Sequence, residues 1–303
     1  MIAPRSTRGV ARWVFETRRR FNSRTRTGGR DYTRASVATH QAASPVQFSP
    51  LRKAAAWLVH AYTSMGLVCA SAMAVQIFRG DAVGFRTAFL WMVVATIIDA
   101  TDGYLARKVG VKQVLPGFDG RRLDDITDFL TYTFLPLVLL WRADTLPAGQ
   151  EAWLIFPLLA SAYGFCQADI KTGDGFFLGF PSLWNVVALY LYLLEMPGWL
   201  NLLILIALSV LTFVPTRYLY PSQPGTLNRL ACVLGFIWMI SLVPLLWELG
   251  SNNSVATRTL DSTAGQKWLL YATLFYPVFY LGTSFWVTLR LGRRGFGHTS
   301  NAA

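Results

Sequence analysis

The chain has 303 residues, of which 53% are hydrophobic and only 15% are charged, and its formal net charge is +12 at pH 7. This composition supports a membrane setting, and no period-2 runs typical of a transmembrane barrel occur. We therefore predict an all-α, polytopic transmembrane helix bundle. The positive charge does not indicate nucleic-acid binding, because it is concentrated in residues 1–53 and in loops where membrane orientation favours Lys and Arg.

Residues 1–53 form a basic N-terminal extension that holds 12 of the 28 Lys and Arg residues. The stretch is rich in Arg, Ser, Thr and Gly, so it cannot build a hydrophobic core and is predicted to be disordered. Three interpretations stay open from the sequence. Its charge suits anionic lipid headgroups, its composition is typical of an organellar transit peptide, and a start codon assigned too far upstream would produce the same stretch.

A membrane domain is predicted over 54–291, followed by a C-terminal tail at 292–303. It contains eight apolar segments that reach or approach the roughly 17–25 residues needed to span a bilayer. These segments cover about 54–78, 84–101, 126–142, 152–169, 182–197, 199–217, 230–249 and 267–290. With eight spans, the N-terminal extension, the basic loop at 102–125 and the C-terminal tail all lie on one side. The positive-inside rule makes that side the cytoplasm, so both termini are predicted to be cytoplasmic.

The first span contains His60, whose polar ring needs a partner in apolar surroundings. Packing against a neighbouring helix is the simpler interpretation of this residue.

Four aspartates lie where the second span ends and the third begins. Asp99 and Asp102 are three residues apart, and Asp124 and Asp128 are four apart, so each pair lies on one helix face. Carboxylates placed beside a membrane are costly, and such a cluster therefore indicates a function. Four converging negative charges predict a site for hard divalent cations, which usually act on phosphate groups.

Small residues and one arginine accompany the aspartates. Gly103 and Gly120 remove side chains where a nucleotide would approach a helix closely, and Ala106 lies one turn beyond Gly103. Arg107 offers a guanidinium suited to phosphate. A carboxylate not fully committed to metal would serve as general base toward an alcohol. A transporter with an acidic cation pathway is the alternative class, but the acids gather on one side and no inverted repeats are visible in the sequence.

These residues together resemble the signature of the CDP-alcohol phosphatidyltransferases. The fixed signature positions are matched by Asp99, Asp102, Gly103, Ala106, Arg107, Gly120, Asp124 and Asp128. The spacer between Arg107 and Gly120 has 12 residues, which is similar to that of the bacterial phosphatidylcholine synthase branch. Further segments that resemble this branch extend the similarity over about 54–290.

The resemblance implies that an alcohol oxygen attacks the β-phosphorus of a CDP-activated lipid and that CMP leaves. In the choline branch the lipid is CDP-diacylglycerol, the acceptor is choline and the product is phosphatidylcholine. Glycerol phosphate, serine or inositol phosphate are the alternative acceptors. The implied metal is Mn²⁺ or Mg²⁺. Its ligands would be Asp99, Asp102, Asp124 and Asp128. Asp128 would also be the general base. The CDP group would be contacted by Gly103, Ala106, Arg107 and Gly120.

Choline adds a requirement for aromatic side chains, because a quaternary ammonium is usually bound over aromatic faces. Tyr132, Phe165 and Trp184 are the candidates, although an interfacial aromatic belt would place the same residue types there. The resemblance further implies a bacterial inner-membrane enzyme surrounded by membrane lipids, with its active site facing the cytoplasm. It also allows a homodimer.

Overall fold

The computed structural model describes residues 48–167, 175–221, 223, 225–251 and 264–292. The helices and strands within these ranges are α1 (Pro50–Arg79), α2 (Ala82–Val109), α3 (Val111–Val114), α4 (Gly120–Asp128), α5 (Leu135–Arg142), α6 (Ile155–Cys166), β1 (Phe176–Leu178), α7 (Trp184–Leu193), α8 (Gly198–Phe213), β2 (Arg217–Leu219), α9 (Thr226–Ser251), α10 (Ala264–Thr273) and α11 (Phe275–Gly292). A π-helical stretch (Phe129–Phe134) joins α4 to α5, and a 3₁₀ turn (Glu151–Leu154) precedes α6.

Both predicted tails fall largely outside these ranges. Residues 1–47 of the basic extension and residues 293–303 of the C-terminal tail are outside the described residues. Helix α1 begins at Pro50, before the predicted boundary at residue 54, because the Ser49 side chain caps it and proline suits the first helical position.

Helices α1 and α2 form an antiparallel hairpin. Helix α1 stops at Gly80, which adopts the left-handed conformation (φ 71°) that glycine tolerates best. Asp81 then caps α2 by accepting a hydrogen bond from the backbone N–H of Gly84 (2.6 Å). At the other end, the Tyr62 and Thr101 hydroxyl oxygens are 2.8 Å apart, so the start of α1 lies beside the end of α2.

Four helices of the described ranges are long and apolar enough to cross a membrane: Pro50–Arg79, Ala82–Val109, Thr226–Trp247 and Lys267–Arg290. They match the first, second, seventh and eighth predicted segments. Helices α6, α7 and α8 are shorter apolar helices within the fourth to sixth segments, and the run from α4 to α5 contains the third. A helical membrane protein is therefore confirmed. The count of eight spans and the side of the termini stay predictions.

The main hydrophobic core lies toward the loop end of the α1–α2 hairpin. It includes Met73 of α1, Phe89 of α2, Leu139 of α5 and Trp184 of α7, all of which are buried. The predicted aspartates lie toward the opposite end of the hairpin, where α1 begins and α2 ends. The packed core therefore holds the helices together at one end and leaves the polar residues grouped at the other.

A two-stranded antiparallel ribbon departs from the predicted all-α class. Strands β1 and β2 pair with Phe176 opposite Leu219. The outer edge of β2 is covered by α11, where Ser284 Oγ accepts a hydrogen bond from the Leu219 backbone N–H (3.3 Å). The sixth predicted segment, 199–217, is helical only as far as Phe213. The helix ends there because Pro215 disfavours a helical conformation in the residue before it.

Candidate active site

Helices α2 and α4 bring three of the predicted aspartates together. Asp99 comes from the C-terminal half of α2, and Asp124 and Asp128 lie one turn apart on α4. One carboxylate oxygen from each lies within 4.8 Å of the other two, and all three residues are half-buried. Three oxygens at this separation form a ligand set of the kind that hard divalent cations use.

Asp102 is the fourth predicted aspartate, and only 6% of its surface is exposed. Its carboxylate accepts a hydrogen bond from Thr63 Oγ1 on α1 (2.8 Å) and also interacts with Asp124. Asp128 in turn lies within electrostatic range of Asp99, Asp102 and Asp124. The four carboxylates therefore form one connected group, called here the acidic cluster, and their mutual repulsion favours a bound cation.

A widened helical turn places Tyr132 against the acidic cluster. The turn is the π-helical stretch Phe129–Phe134, which runs directly into α5. Pro136 has no backbone N–H for the carbonyl four residues before it, so the regular hydrogen-bond ladder cannot continue through this turn. The buried Tyr132 hydroxyl donates a hydrogen bond to Asp99 Oδ2 (2.8 Å). The residue expected to contact choline thus orients a carboxylate of the cluster.

One face of α1 completes the site, and sequence analysis did not assign this face to it. His60, Thr63 and Gly66 recur every three residues and so lie on one side of the helix. A Cβ atom on Gly66 would collide with the Thr127 side chain of α4, so this glycine permits close packing of the two helices. The regular spacing of polar and small residues within an apolar span was the available signal.

The predicted nucleotide contacts lie in different surroundings. A Cβ atom added to Gly103 would have one close neighbour among the described residues, Arg107 Nη1 at 3.4 Å. There is therefore space beside this glycine. Ala106 packs on a small apolar cluster formed by α1 and α3. At Gly120, a Cβ atom would lie 2.5 Å from His60 Cε1, so this glycine accommodates an imidazole ring.

The remaining two aromatic candidates also differ. Phe165 is half-buried, and its ring packs edge-on against Phe129 with centroids 5.9 Å apart. Phe129 directly follows Asp128 in the chain, so one ring of the pair belongs to the same turn of the chain as the acidic cluster. Trp184 is fully buried in the hydrophobic core, and its indole N–H donates to Ser161 Oγ (2.6 Å). A ring enclosed in this way offers no open face to choline, and its role is packing.

The donor chemistry of the acidic cluster fits a magnesium-like or manganese-like ion. Oxygen-only ligand sets suit Mg²⁺, Ca²⁺ and Mn²⁺, whereas zinc and copper sites usually contain His or Cys. The grouped ligand atoms among the described residues are all carboxylate oxygens, from Asp99, Asp124 and Asp128. The site is therefore suited to hold a divalent cation.

The chain is 37% identical over 200 residues to a phosphatidylcholine synthase of Pseudomonas aeruginosa, an alignment that covers 65% of this chain and 83% of that protein. The chain belongs to the phosphatidylcholine synthase family. It is also 40% identical over 235 residues to the phosphatidylcholine synthase of Legionella pneumophila, covering 74% of this chain and 91% of that protein. The Borreliella burgdorferi phosphatidylcholine synthase is 33% identical over 207 residues, with coverages of 68% and 87%. No family model matches the chain.

These relatives confirm the resemblance predicted from the signature. The family is the phosphatidylcholine synthase branch of the CDP-alcohol phosphatidyltransferases. The similarity spans well over half of the chain, far more than the signature segment between Asp99 and Asp128. The assignment therefore depends on much of the membrane domain and not on the aspartates alone.

Proposed function

We propose that this protein transfers a phosphatidyl group from CDP-diacylglycerol to choline, giving phosphatidylcholine and CMP. The observation that carries the proposal is the convergence of three carboxylate oxygens within 4.8 Å, supplied by the two helices that hold the signature. Phosphoryl transfer depends mainly on positioning and charge stabilisation, for which a carboxylate-held cation is suited. The relatives named phosphatidylcholine synthase support choline as the acceptor.

The acidic cluster would hold Mn²⁺ or Mg²⁺ through Asp99, Asp124 and Asp128, with Asp102 beside them. When bound, the cation supplies Lewis-acid stabilisation of the charge on the phosphoryl oxygens. Thr63 donates a hydrogen bond to Asp102, and Tyr132 donates one to Asp99 (each 2.8 Å). Such donors fix the orientation of a carboxylate, so that its remaining lone pairs point consistently toward the ligand.

The reaction forms one bond and breaks one bond at the β-phosphorus. The choline oxygen bonds to this phosphorus while the bond from the phosphorus to the oxygen of CMP breaks. Asp128 accepts the proton of the choline hydroxyl, and Arg107 binds phosphate oxygens through its guanidinium. Phe129 of the Phe129–Phe165 pair follows Asp128 directly in the chain, at the start of the π-helical stretch. We place the quaternary ammonium near this pair, where a partly exposed aromatic surface is present.

We further infer that the site faces the cytoplasm of a bacterial inner membrane, with eight spans and both termini on that side. Basic residues that flank the acidic end of the hairpin support this orientation: Arg107, Lys108, Lys112, Arg121 and Arg122. Reporter fusions at residue 50 and at the C-terminus should both give cytoplasmic signals. Opposite signals would require an odd number of spans.

The experiment that tests the function measures CMP release and labelled lipid product by purified protein supplied with CDP-diacylglycerol. Choline, serine, glycerol phosphate and inositol phosphate are offered in competition at equal concentration, with Mn²⁺, with Mg²⁺ and with excess chelator. We expect phosphatidylcholine as the main product and no CMP release in chelator. Full activity in chelator would refute the metal site, and a dominant product from another alcohol would refute choline as acceptor.

A matched pair of variants tests the acidic cluster within the same assay. Asp124→Asn removes a carboxylate of the cluster, whereas Asp125→Asn removes a neighbouring carboxylate that pairs with Arg121 at 3.9 Å and is partly exposed. We expect Asp124→Asn to abolish most activity and Asp125→Asn to retain it, since an exposed ion pair contributes little. Equal loss in the two variants would count against the assigned ligand set.

A further inference from the structure

His60 of α1 is a buried imidazole with an unpartnered nitrogen. Only 6% of its surface is exposed, and Nε2 has no hydrogen-bond partner among the described residues. Trp57 and Phe118 cover the ring, with centroids 5.9 and 4.3 Å from that of His60, yet neither supplies a partner for this nitrogen. Buried polar atoms are nearly always satisfied, so this nitrogen calls for a partner that the described residues do not supply.

The position of His60 relates it to the signature. Its ring lies against Gly120, where a Cβ atom would be 2.5 Å from Cε1. Gly120 lies one turn before Asp124 on α4, and Thr63, one turn beyond His60 on α1, holds Asp102. The imidazole is therefore close to the acidic cluster without being part of it. It lies at the level of Gly120 on α4, which is about 6 Å along the helix axis from Asp124.

The distance between His60 and the acidic cluster indicates which substrate, choline or CDP-diacylglycerol, can reach the imidazole. By the rise of a helix, the level of Gly120 lies about 12 Å along α4 from that of Asp128, where the acceptor hydroxyl loses its proton. In choline the ammonium is separated from the hydroxyl only by an ethylene link, so it falls short of His60. A CDP group extends a ribose and a base beyond its phosphates and is long enough to reach the imidazole.

We propose that His60 Nε2 makes a hydrogen bond to the cytosine base of the CDP group, an inference that rests on the proposed function. An imidazole nitrogen either donates or accepts, and cytosine presents an amino group and two acceptor atoms, so a matching pair is available. The base enters by displacing the ring of Phe118, which is 38% exposed and lies between α3 and α4. Stacking of the base on Trp57 then replaces the lost contact between rings.

The test uses the full chain in detergent with Mn²⁺ and measures the binding of CMP and of ribose 5-phosphate, which lacks a base. His60→Phe keeps a ring but removes both nitrogens, His60→Gln places an amide near the position of Nε2, and His60→Asn places one near Nδ1. We expect His60→Phe and His60→Asn to bind CMP about 3- to 10-fold more weakly, the effect of one neutral hydrogen bond. Ribose 5-phosphate affinity should not change, and His60→Gln should regain most of the CMP affinity.

Steady-state kinetics provide a second measurement. The KM for CDP-diacylglycerol should rise in His60→Phe by a similar factor while kcat changes little, because the base is remote from the reacting phosphorus. Ser161→Ala, which removes the buried partner of Trp184, is the control for a loss of stability away from the site. It should leave CMP affinity unchanged.

The outcomes separate this inference from the proposed function. If the wild-type protein does not bind CMP, both are refuted. If the wild type binds CMP and all three His60 variants bind it equally well, only the base contact is refuted. Equal weakening of CMP and ribose 5-phosphate would likewise overturn it, because His60 would then support the structure of the site and not the base.

Discussion

Replacement of Tyr132 by phenylalanine tests whether this residue orients a metal ligand or contacts choline. The substitution removes the hydroxyl that donates to Asp99 Oδ2 at 2.8 Å and keeps the aromatic ring in its buried position. A hydrogen bond to a charged acceptor contributes about 1.5–3 kcal/mol, which corresponds to roughly a 10- to 150-fold change in an equilibrium constant. We expect the concentration of Mn²⁺ needed for half-maximal activity to rise within this range.

The assay measures the rate of CMP release while Mn²⁺ is varied at saturating choline, and then while choline is varied at saturating Mn²⁺. The KM for choline should stay close to the wild-type value in Tyr132→Phe, because phenylalanine presents the same kind of aromatic face. Tyr62→Phe is the matched control, since it removes a hydroxyl that lies 2.8 Å from the neutral Thr101 side chain and not from an aspartate. It should alter the Mn²⁺ requirement by no more than a few-fold.

Two results would refute this reasoning. An unchanged Mn²⁺ requirement in Tyr132→Phe would show that the hydrogen bond to Asp99 does not support the ligand set. A raised choline KM with unaltered metal dependence would show that the phenol contacts the acceptor. Only the second result would return Tyr132 to the choline contact that the sequence alone suggests.

Three further predictions concern the base, the core and the packing of α1. Asp128→Asn should lower turnover by about 10²- to 10⁴-fold with a smaller effect on CMP affinity, and a near-wild-type rate would place the base elsewhere. Trp184→Ala should lower stability by about 3–5 kcal/mol, seen as a reduced Tm in detergent, with an unchanged choline KM in the protein that remains folded. Gly66→Ala should lower the free energy of unfolding by about 1–3 kcal/mol and raise the Mn²⁺ requirement, because the added Cβ collides with Thr127. Gly117→Ala is the control, since its Cβ would meet no described atom within 4 Å, and it should change neither stability nor the Mn²⁺ requirement.

The sequence by itself determined the class of protein and the main chemical groups of the site. Apolar runs of bilayer length predict membrane helices because the backbone must satisfy its own hydrogen bonds in lipid. The spacings of Asp99, Asp102, Asp124 and Asp128 predict shared helix faces because the period of a helix is local and constant. Both inferences depend on residues close together in the chain, and for that reason they needed no knowledge of packing.

Only the tertiary structure decided which helix faces meet. The bonds from Thr63 to Asp102 and from Tyr132 to Asp99 join residues 39 and 33 positions apart, a separation over which local periodicity carries no information. The burial of Trp184 was equally hidden, because an aromatic residue at a helix start is compatible with an interfacial belt, a choline pocket or a core. Helix spacing determines the direction of each side chain relative to its own axis, whereas its neighbours depend on how distant helices pack together.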